Sequence, residues 1–179
     1  MMQVLFLSEV WMVILFAVVW FVLQTSAAII SNIIPDKFYN TDSFLFRVRS
    51  WEQDGRFYQK VFAIRRWKHL LPDGAAVVKS GFRKKHLTDC SEKGLERFIV
   101  ETCRAELTHL LAILPFWVFG FFAPPYVIWL MLLYALIVNL PCIVAQRYNR
   151  PKLVKLLRGM RKRTNKRTPL NYEPPSDEV

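Results

Sequence analysis

The chain has 179 residues, of which 53% are hydrophobic, and it carries a formal net charge of +11. This length favours a single domain. High apolar content and high charge coexist because they are segregated: Asp, Glu, Lys and Arg are all absent from Val10 to Asn32 and from the 40 positions between Leu107 and Gln146. Apolar runs of this length exclude an ordinary soluble domain and predict an all-α membrane protein.

The cysteines Cys90, Cys103 and Cys142 are odd in number and have no paired spacing. They predict no disulfide framework and are typical of reduced thiols in or beside the cytoplasm. His86 and Asp89 lie near Cys90, but a lone cysteine with one histidine lacks the ligand count of a zinc site. We therefore expect neither a metal nor a cofactor.

The first apolar segment predicts a transmembrane helix over about 8–32, because about 20 residues cross a hydrocarbon core of about 30 Å. Ser26-Ala27-Ala28 resembles a signal-peptidase site. A signal peptide, however, begins with a positively charged region, and no Lys or Arg precedes Lys37. An uncleaved helix is therefore favoured, and Pro35 is expected to end it.

A basic insert that is rich in aromatic residues follows, from Lys37 to Arg66. Within it, the alternating positions Phe44, Phe46 and Val48 indicate a short strand. Aromatic rings among cations suit the headgroup layer of a membrane, although the same interleaving occurs in proteins that bind nucleic acid. Because apolar segments flank the insert, anionic membrane lipids are the simpler partner, and we expect no nucleic acid.

The stretch Trp67-Lys68-His69-Leu70-Leu71-Pro72-Asp73-Gly74 places a histidine and an aspartate four positions apart. Pro72 and Gly74 bracket Asp73 in a predicted turn. A titratable pair in a basic setting beside a membrane is a candidate for catalysis. The alternative is that the basic residues coat lipid headgroups and that His69 is one more of them.

A second long helix is expected to begin near Glu92, capped by Asp89 or Ser91. It is predicted to continue without a break into a second span over about 107–123, with a kink or adjustment at Pro115. Pro124-Pro125 then turns the chain into a third span over about 126–145. Asn139, inside this span, needs a hydrogen-bond partner from a neighbouring helix or from a carbonyl near Pro141.

Two pairs of ionisable residues lie at i,i+3 spacing on the second helix, Glu101 with Arg104 and Glu106 with His109. One interpretation is a helix end stabilised by salt bridges. The other is a functional site, because ionisable groups close to hydrocarbon are costly and are usually retained for function.

Beyond the third span the chain is basic, and an interfacial helix completes a predicted single membrane domain, 1–160. The segment 161–179 is predicted to be a disordered basic tail. Of the 25 Lys and Arg residues, fifteen lie between the first and second spans and ten follow the third. The positive-inside rule then predicts that the amino terminus and the Pro124-Pro125 turn lie outside and that the carboxyl terminus is cytoplasmic.

The polar blocks resemble those of the bacterial glycosyl-4,4'-diaponeurosporenoate acyltransferases, small membrane enzymes of the staphyloxanthin pathway. The resemblance covers roughly 34–158, in the same order and at close to the same spacing. Its residues are Ile34-Pro35-Asp36-Lys37, Arg66-Trp67-Lys68-His69 with Asp73-Gly74, His86-Leu87, Glu101-Thr102, Arg104-Ala105-Glu106-Leu107, His109, Ile113-Leu114-Pro115, Asn139, Pro141 and Gln146-Arg147-Tyr148-Asn149-Arg150-Pro151.

The resemblance implies a multi-pass enzyme of a bacterial cell membrane. It would transfer a fatty acyl group from a thioester donor to a sugar hydroxyl of a glycosylated carotenoid acid. Esterification needs a base for the hydroxyl and donors for the oxyanion. His69 is suited to be the base, and Asp73 is suited either to orient it or to hold the surrounding loop. His109 beside Glu106 is the rival base. The residues expected to bind substrate or donor are Arg66, Lys68, His86, Arg104, Arg147, Tyr148, Asn149 and Arg150.

Two other functions are also compatible with the sequence. One is a non-enzymatic membrane anchor or subunit whose basic surface recruits a partner enzyme. The other is an acyltransferase that acts on a different membrane glycolipid, since nothing in the chain identifies a carotenoid.

Overall fold

A computed structural model describes residues 8–71 and 91–167. Four α-helices make up most of these ranges: α1, Glu9–Ile33; α2, Arg56–Phe62; α3, Glu92–Ile113; and α4, Pro125–Arg167. Short 3₁₀ helices fill most of the connections, at Asp36–Phe38, Ser50–Gly55, Ile64–Arg66, Lys68–Leu70 and Leu114–Phe121. The described part of the chain contains no β-strand, and the expectation of an all-α protein is confirmed.

Helix α1 presents its apolar side chains outward over most of its length. Val10, Val13 and Phe21 are each more than two-thirds exposed, and only Ala27 and Ser31 are buried. Its 25 residues rise about 37 Å, enough to cross a bilayer core. Within the described ranges, α1 and α4 are the two helices long and apolar enough for this. Such exposed apolar surface indicates association with a membrane.

Helix α3 runs antiparallel to α1. The side chain of Gln24 donates to the carbonyl of Ala112 at 3.5 Å, and Ser31 Oγ lies 2.6 Å from Thr108 Oγ1. Later residues of α1 therefore meet earlier residues of α3. Each of these polar side chains finds a partner on the facing helix or within its own, as is needed where water is excluded.

Helix α4 is in turn antiparallel to α3. His109 contacts Asn139, whereas Thr102 contacts Arg150 and Glu96 pairs with Arg161, all between the two helices. Helix α3 thus lies between α1 and α4, which run in the same direction. The three form an up-down-up bundle whose polar contacts increase toward the carboxyl end of α4.

Two expectations for α3 are confirmed and one is refined. Ser91 is its N-cap, accepting from the backbone N–H of Gly94 at 3.1 Å. The helix passes unbroken through its polar half into the apolar segment, but it ends at Ile113. The chain continues as a 3₁₀ helix in which Pro115 has non-helical angles (φ −83°, ψ 18°), because proline lacks an N–H and crowds the preceding turn. The predicted span over 107–123 is therefore two segments in this structure.

Helix α4 differs from expectation at its far end. It continues through Pro141 and Pro151 to Arg167. The predicted disordered tail, 161–179, is therefore corrected for 161–167, which extend the basic helix; 168–179 lie outside the described residues. The exposed ion pairs of Arg161 with Glu92 and Glu96 hold this extension against the start of α3.

The short strand expected from Phe44 to Arg49 is wrong. The backbone N–H groups of Phe46 and Arg47 both donate to the carbonyl of Ser43, at 3.2 and 2.9 Å, which makes a turn. The carbonyls that a strand would pair with a neighbour instead accept from arginine side chains. Alternating hydrophobicity does not reveal such a partner, because the arginines lie about 100 residues away in the sequence.

Candidate functional site

Four charged residues meet where α3, α4 and the insert come together, and we call them the buried ion cluster: Glu52, Glu106, Arg147 and Arg150. Glu106 lies between the two arginines, with Arg147 Nε at 2.6 Å from one carboxylate oxygen and Arg150 Nη2 hydrogen-bonded to the other. Arg147 Nη1 also donates to Glu52 at 3.0 Å. The formal charges cancel, and both carboxylates have only 1% of their side chain exposed.

Arg150 is surrounded entirely by protein groups. Its Nε donates to Thr102 Oγ1 at 3.1 Å, and its Nη2 donates to the Thr102 carbonyl at 3.0 Å as well as to Glu106. Its Nη1 donates to the Phe46 carbonyl at 3.0 Å. A buried charge is tolerated only when it is paired and hydrogen-bonded in this way. Arg150, which was predicted to bind substrate or donor, has only 1% of its side chain exposed, and the geometry favours a positioning role.

The buried ion cluster holds one loop of the insert, residues 41–50, against the helices. Arg147 donates to the carbonyls of Leu45 and Arg47, and Arg150 donates to that of Phe46. Three successive carbonyls of the loop are therefore fixed by two guanidinium groups. A planar guanidinium with five N–H donors suits this task better than a lysine would.

Beside Glu52 lies the phenol of Tyr58, on α2. Burial, together with the negative charge of Glu52, raises the pKa of Tyr58 above its ordinary value. The phenol therefore stays protonated at neutral pH and adds no further charge to the cluster.

Arg104 ties α3 to the end of α1. It pairs with Glu101, as its i,i+3 spacing predicts, and also with Asp36 beyond α1. Its guanidinium lies 5.0 Å from the ring centre of Tyr39. Arg104 thus has three internal partners, and the salt-bridge interpretation of this pair is confirmed.

Both members of the second i,i+3 pair, Glu106 and His109, bind residues of α4. Glu106 binds Arg147 and Arg150 of the buried ion cluster, whereas His109 Nδ1 lies 2.9 Å from Asn139 Oδ1. The expected partner for Asn139 on a neighbouring helix is therefore His109. Asn139 also donates through Nδ2 to the Ala135 carbonyl at 2.9 Å.

A second set of polar residues, the interfacial polar group, lies where α4 meets the segment 64–70 and consists of Arg65, Lys68, Tyr148 and Asn149. Arg65 Nε donates to Tyr148 Oη at 2.9 Å, and Lys68 Nζ donates to Asn149 Oδ1 at 3.5 Å. Lys68 also lies 5.4 Å from the ring centre of Tyr148. Three of the predicted binding residues, Lys68, Tyr148 and Asn149, are thus brought together.

The remaining predicted site residues lie beside this group or beyond the described ranges. His69 follows Lys68 in the Lys68–Leu70 turn and is exposed, as is Arg66. Asp73 and His86 lie outside the described residues, so the predicted pairing of His69 with Asp73 stays a prediction.

An apolar groove of about 430 Å³ runs along α4 below the interfacial polar group. Residues of α4 between Leu133 and Val144 form its floor, and Phe62 and Trp67 of the insert line its upper end. The floor rises about 16 Å along the helix. Val144 also packs with Tyr148, which lies one turn later. The groove therefore leads from the apolar part of α4 to the interfacial polar group.

Several residues of these clusters were not anticipated from the sequence. Glu52 and Arg65 are two among many charged residues of the insert, and nothing in their spacing distinguishes them. Thr102 stands within one of the polar blocks but carries no charge. Its pairing with Arg150 spans 48 positions, which no local pattern records. Within the described ranges, no group of three His, Cys, Asp or Glu side chains could hold a metal ion.

Comparison with known proteins places this arrangement in a family. The family model CrtO, glycosyl-4,4'-diaponeurosporenoate acyltransferase, matches residues 35–159. The chain belongs to this family. Proteins named glycosyl-4,4'-diaponeurosporenoate acyltransferase from Staphylococcus aureus strains bovine RF122 / ET3-1 and USA300 are each 37% identical to it over 144 residues, covering 80% of this chain and 87% of theirs. No solved structure matches the chain.

The expected resemblance to the glycosyl-4,4'-diaponeurosporenoate acyltransferases is thereby confirmed, and the chain is an acyltransferase. The matched range contains the whole of the buried ion cluster and of the interfacial polar group, together with His69 and His109. It begins after α1 ends, so the helix that precedes it lies outside the match.

Proposed function

We propose that this acyltransferase esterifies a sugar hydroxyl of glycosyl-4,4'-diaponeurosporenoate with a fatty acyl group taken from a thioester. The observation that carries the proposal is the apolar groove of α4, which ends at the interfacial polar group. The long apolar chain of the acceptor would lie in the groove, open to the bilayer. Its sugar would then lie among hydrogen-bonding and cationic side chains at the membrane surface, where a water-soluble donor can reach it.

The proposal includes three membrane crossings. Helices α1 and α4 run in the same direction, so a chain that crosses with both must return between them. Helix α3 and the 3₁₀ segment after it lie antiparallel between the two and supply that return. With the basic residues on the cytoplasmic side, the amino terminus lies outside, and the interfacial polar group and the carboxyl terminus lie on the cytoplasmic side.

For the chemical step, His69 acts as the general base. Its imidazole accepts the proton of the sugar hydroxyl while the hydroxyl oxygen attacks the carbonyl carbon of the thioester. The carbon–sulfur bond then breaks, and the proton passes to the departing thiolate. Lys68, the residue before His69, is held by Asn149 and supplies positive charge for the oxyanion that develops on the carbonyl oxygen.

His109 is the rival base. With Asn139 Nδ2 donating to Ala135, the amide oxygen of Asn139 faces the ring, so Nδ1 of His109 carries the proton and the lone pair is on Nε2. Such an oriented imidazole suits a base. Its partner Asn139, however, lies ten residues before Asn149 on α4, about 15 Å deeper in the bundle. The two histidines therefore belong to sites at different depths.

The test compares the two histidines in membranes from a host that contains the glycosylated acceptor and acyl thioesters. We expect His69→Ala to lower the rate of ester formation about 10²–10⁴-fold, as for loss of a general base, and His109→Ala to retain the activity. Mass spectrometry of the lipid extract measures the product. Wild-type activity in His69→Ala would remove the assignment of the base. If wild type esterifies a different glycolipid but not this acceptor, the protein is an acyltransferase for that other glycolipid. If wild type esterifies no glycolipid, the non-enzymatic anchor or subunit replaces the proposed function.

A further inference from the structure

The 41–50 loop, held by the buried ion cluster, lines a second and more polar cavity. This basic cavity has a volume of about 720 Å³ and lies between the loop, the segment 50–56 and the polar end of α4. Its lining includes two carboxylates, Asp42 and Asp54, and five cations: Arg47, Arg49, Arg56, Lys155 and Arg158. It has no part in the acceptor site proposed above.

The cations of the basic cavity are available for a ligand. Arg47, Lys155 and Arg158 are exposed and form no ion pair with any residue of the described ranges. Within the described ranges, Arg49 and Arg56 donate to the backbone carbonyls of Phe44 and Gln53, and Arg49 also lies 4.6 Å from the ring centre of Phe44. Five cations and two carboxylates give the concave surface a net positive charge. Such a surface focuses the electrostatic field and attracts anionic ligands.

The wall of this cavity also contains strained backbone. Gln53, Asp54 and Gly55 have successive positive φ angles of 48°, 55° and 86°. A Cβ on Gly55 would lie 2.8 Å from the backbone oxygen of Tyr148, so the strained turn is pressed against α4. Backbone in this region persists only where the surroundings impose it, and it is concentrated at ligand-binding sites.

The other side of the same loop is apolar. Residues 43–46 line a cavity of about 600 Å³ together with Ile34, Phe38 and Leu107, whereas residues 47–50 face the basic cavity. A single short loop therefore separates a cationic site from an apolar one. This arrangement fits a ligand that has a highly charged head and a long hydrocarbon chain.

We infer that the basic cavity binds the phosphate groups of coenzyme A, and that acyl-coenzyme A is the thioester donor. The role of acyl-coenzyme A as the donor rests on the proposed function, whereas the binding of coenzyme A to the cavity does not. Small-molecule sites occupy roughly 300–1,000 Å³, so the volume suits a nucleotide. Coenzyme A carries a diphosphate and a separate 3'-phosphate, which match several cations at once. The arm of an acyl carrier protein carries one phosphodiester, for which five cations are more than is needed.

The experiment titrates coenzyme A into the full-length protein in phosphatidylcholine nanodiscs. The double variant Lys155→Gln/Arg158→Gln removes two cations of the cavity. Its matched control, Lys162→Gln/Arg163→Gln, removes two exposed cations of the same helix that do not line the cavity. We expect about a hundredfold weaker binding for the first, at about tenfold per lost charge-assisted contact, and unchanged binding for the control. Dephospho-coenzyme A should bind wild type more weakly than coenzyme A, and increasing salt should weaken both.

In turnover assays with acyl-coenzyme A, the cavity variant should raise KM for the donor and leave kcat at saturating donor unchanged. The inference is overturned if wild type does not bind coenzyme A, or if the cavity variant binds it as tightly as the control does. It is also overturned if the variant loses only its association with phosphatidylglycerol vesicles, which would make the cavity a lipid site. Acylation from a carrier protein without binding of coenzyme A would refute this inference and leave the proposed function standing. Binding of coenzyme A through these cations without acylation of the carotenoid would refute the proposed function and leave the coenzyme A site standing.

Discussion

The buried ion cluster predicts a large and specific sensitivity at Glu106. The substitution Glu106→Gln keeps the shape of the side chain but removes the charge that balances Arg147 and Arg150. Two arginines would then face the single carboxylate of Glu52, and Arg150 has only 1% of its side chain exposed. Breaking a buried ion pair by removing one partner costs about 3–5 kcal/mol, and for a chain of this size that corresponds to a fall in Tm of about 6–20 °C.

The matched control is Glu96→Gln, which breaks an ion pair between the same two helices. Glu96 binds Arg161, but the two side chains are 46% and 54% exposed, and exposed pairs contribute about 0–1 kcal/mol. Thermal unfolding of the purified protein in detergent, followed by intrinsic tryptophan fluorescence, measures both variants. Equal Tm values for Glu106→Gln and Glu96→Gln would refute the conclusion that burial makes the cluster critical.

A second experiment compares leaving a buried arginine unpaired with removing both members of the ion pair. Replacing Glu106 and Arg150 together by leucine and methionine removes both ions. Because apolar pairs can replace buried ion pairs with little loss of stability, the double variant should be more stable than Glu106→Gln alone. It should nevertheless bind the acyl donor poorly, since the Phe46 carbonyl loses the guanidinium that holds the 41–50 loop.

Two further predictions concern the backbone and the topology. Gly55→Ala should destabilise the protein by at least about 1 kcal/mol, because the φ of Gly55 is +86° and the added Cβ would meet the backbone of Tyr148. Gly159→Ala should stabilise the protein by about 0.5–1 kcal/mol, because nothing lies within 4 Å of the added Cβ. Thermal unfolding measures both variants. If both substitutions shift Tm in the same direction, the steric account is wrong. Alkaline phosphatase, which is active only outside the cytoplasm, should be active when fused after Pro124 and inactive when fused after Arg167, and the opposite pattern would reverse the proposed orientation.

The residues that carry the proposed chemistry lie on two sides of the same turn of α4, residues 147–150. The interfacial polar group and His69 lie beside the apolar groove, whereas the buried ion cluster lies between the helices and the 41–50 loop. Because Arg147 and Arg150 donate to carbonyls of the 41–50 loop, we expect them to influence substrate binding through that loop. The pairing of the two arginines with Glu106 gives Arg147 and Arg150 of the polar block 146–151 a structural role.

The helical class, the apolar segments, the N-cap at Ser91 and the turn at Pro124-Pro125 could all be predicted from the sequence. Each depends on interactions within a few residues: a hydrophobic period, a capping side chain, or a proline without an N–H. The Glu101–Arg104 ion pair was predictable for the same reason, since both residues lie on one turn of helix. Family membership also followed from the order and spacing of the polar blocks.

The tertiary structure alone decided which charges are buried together. Glu106 has His109 one turn away, yet it pairs with Arg147 and Arg150, about 40 residues along the chain. The packing of α3 against α4 and the insert excludes water from this point, so each charge there must find an opposite charge close by. Likewise, the carbonyls at 45–47 accept from these arginines, and the expected strand does not form. Local sequence patterns show which residues are charged, but the packing of the helices decides which charged residues pair with one another.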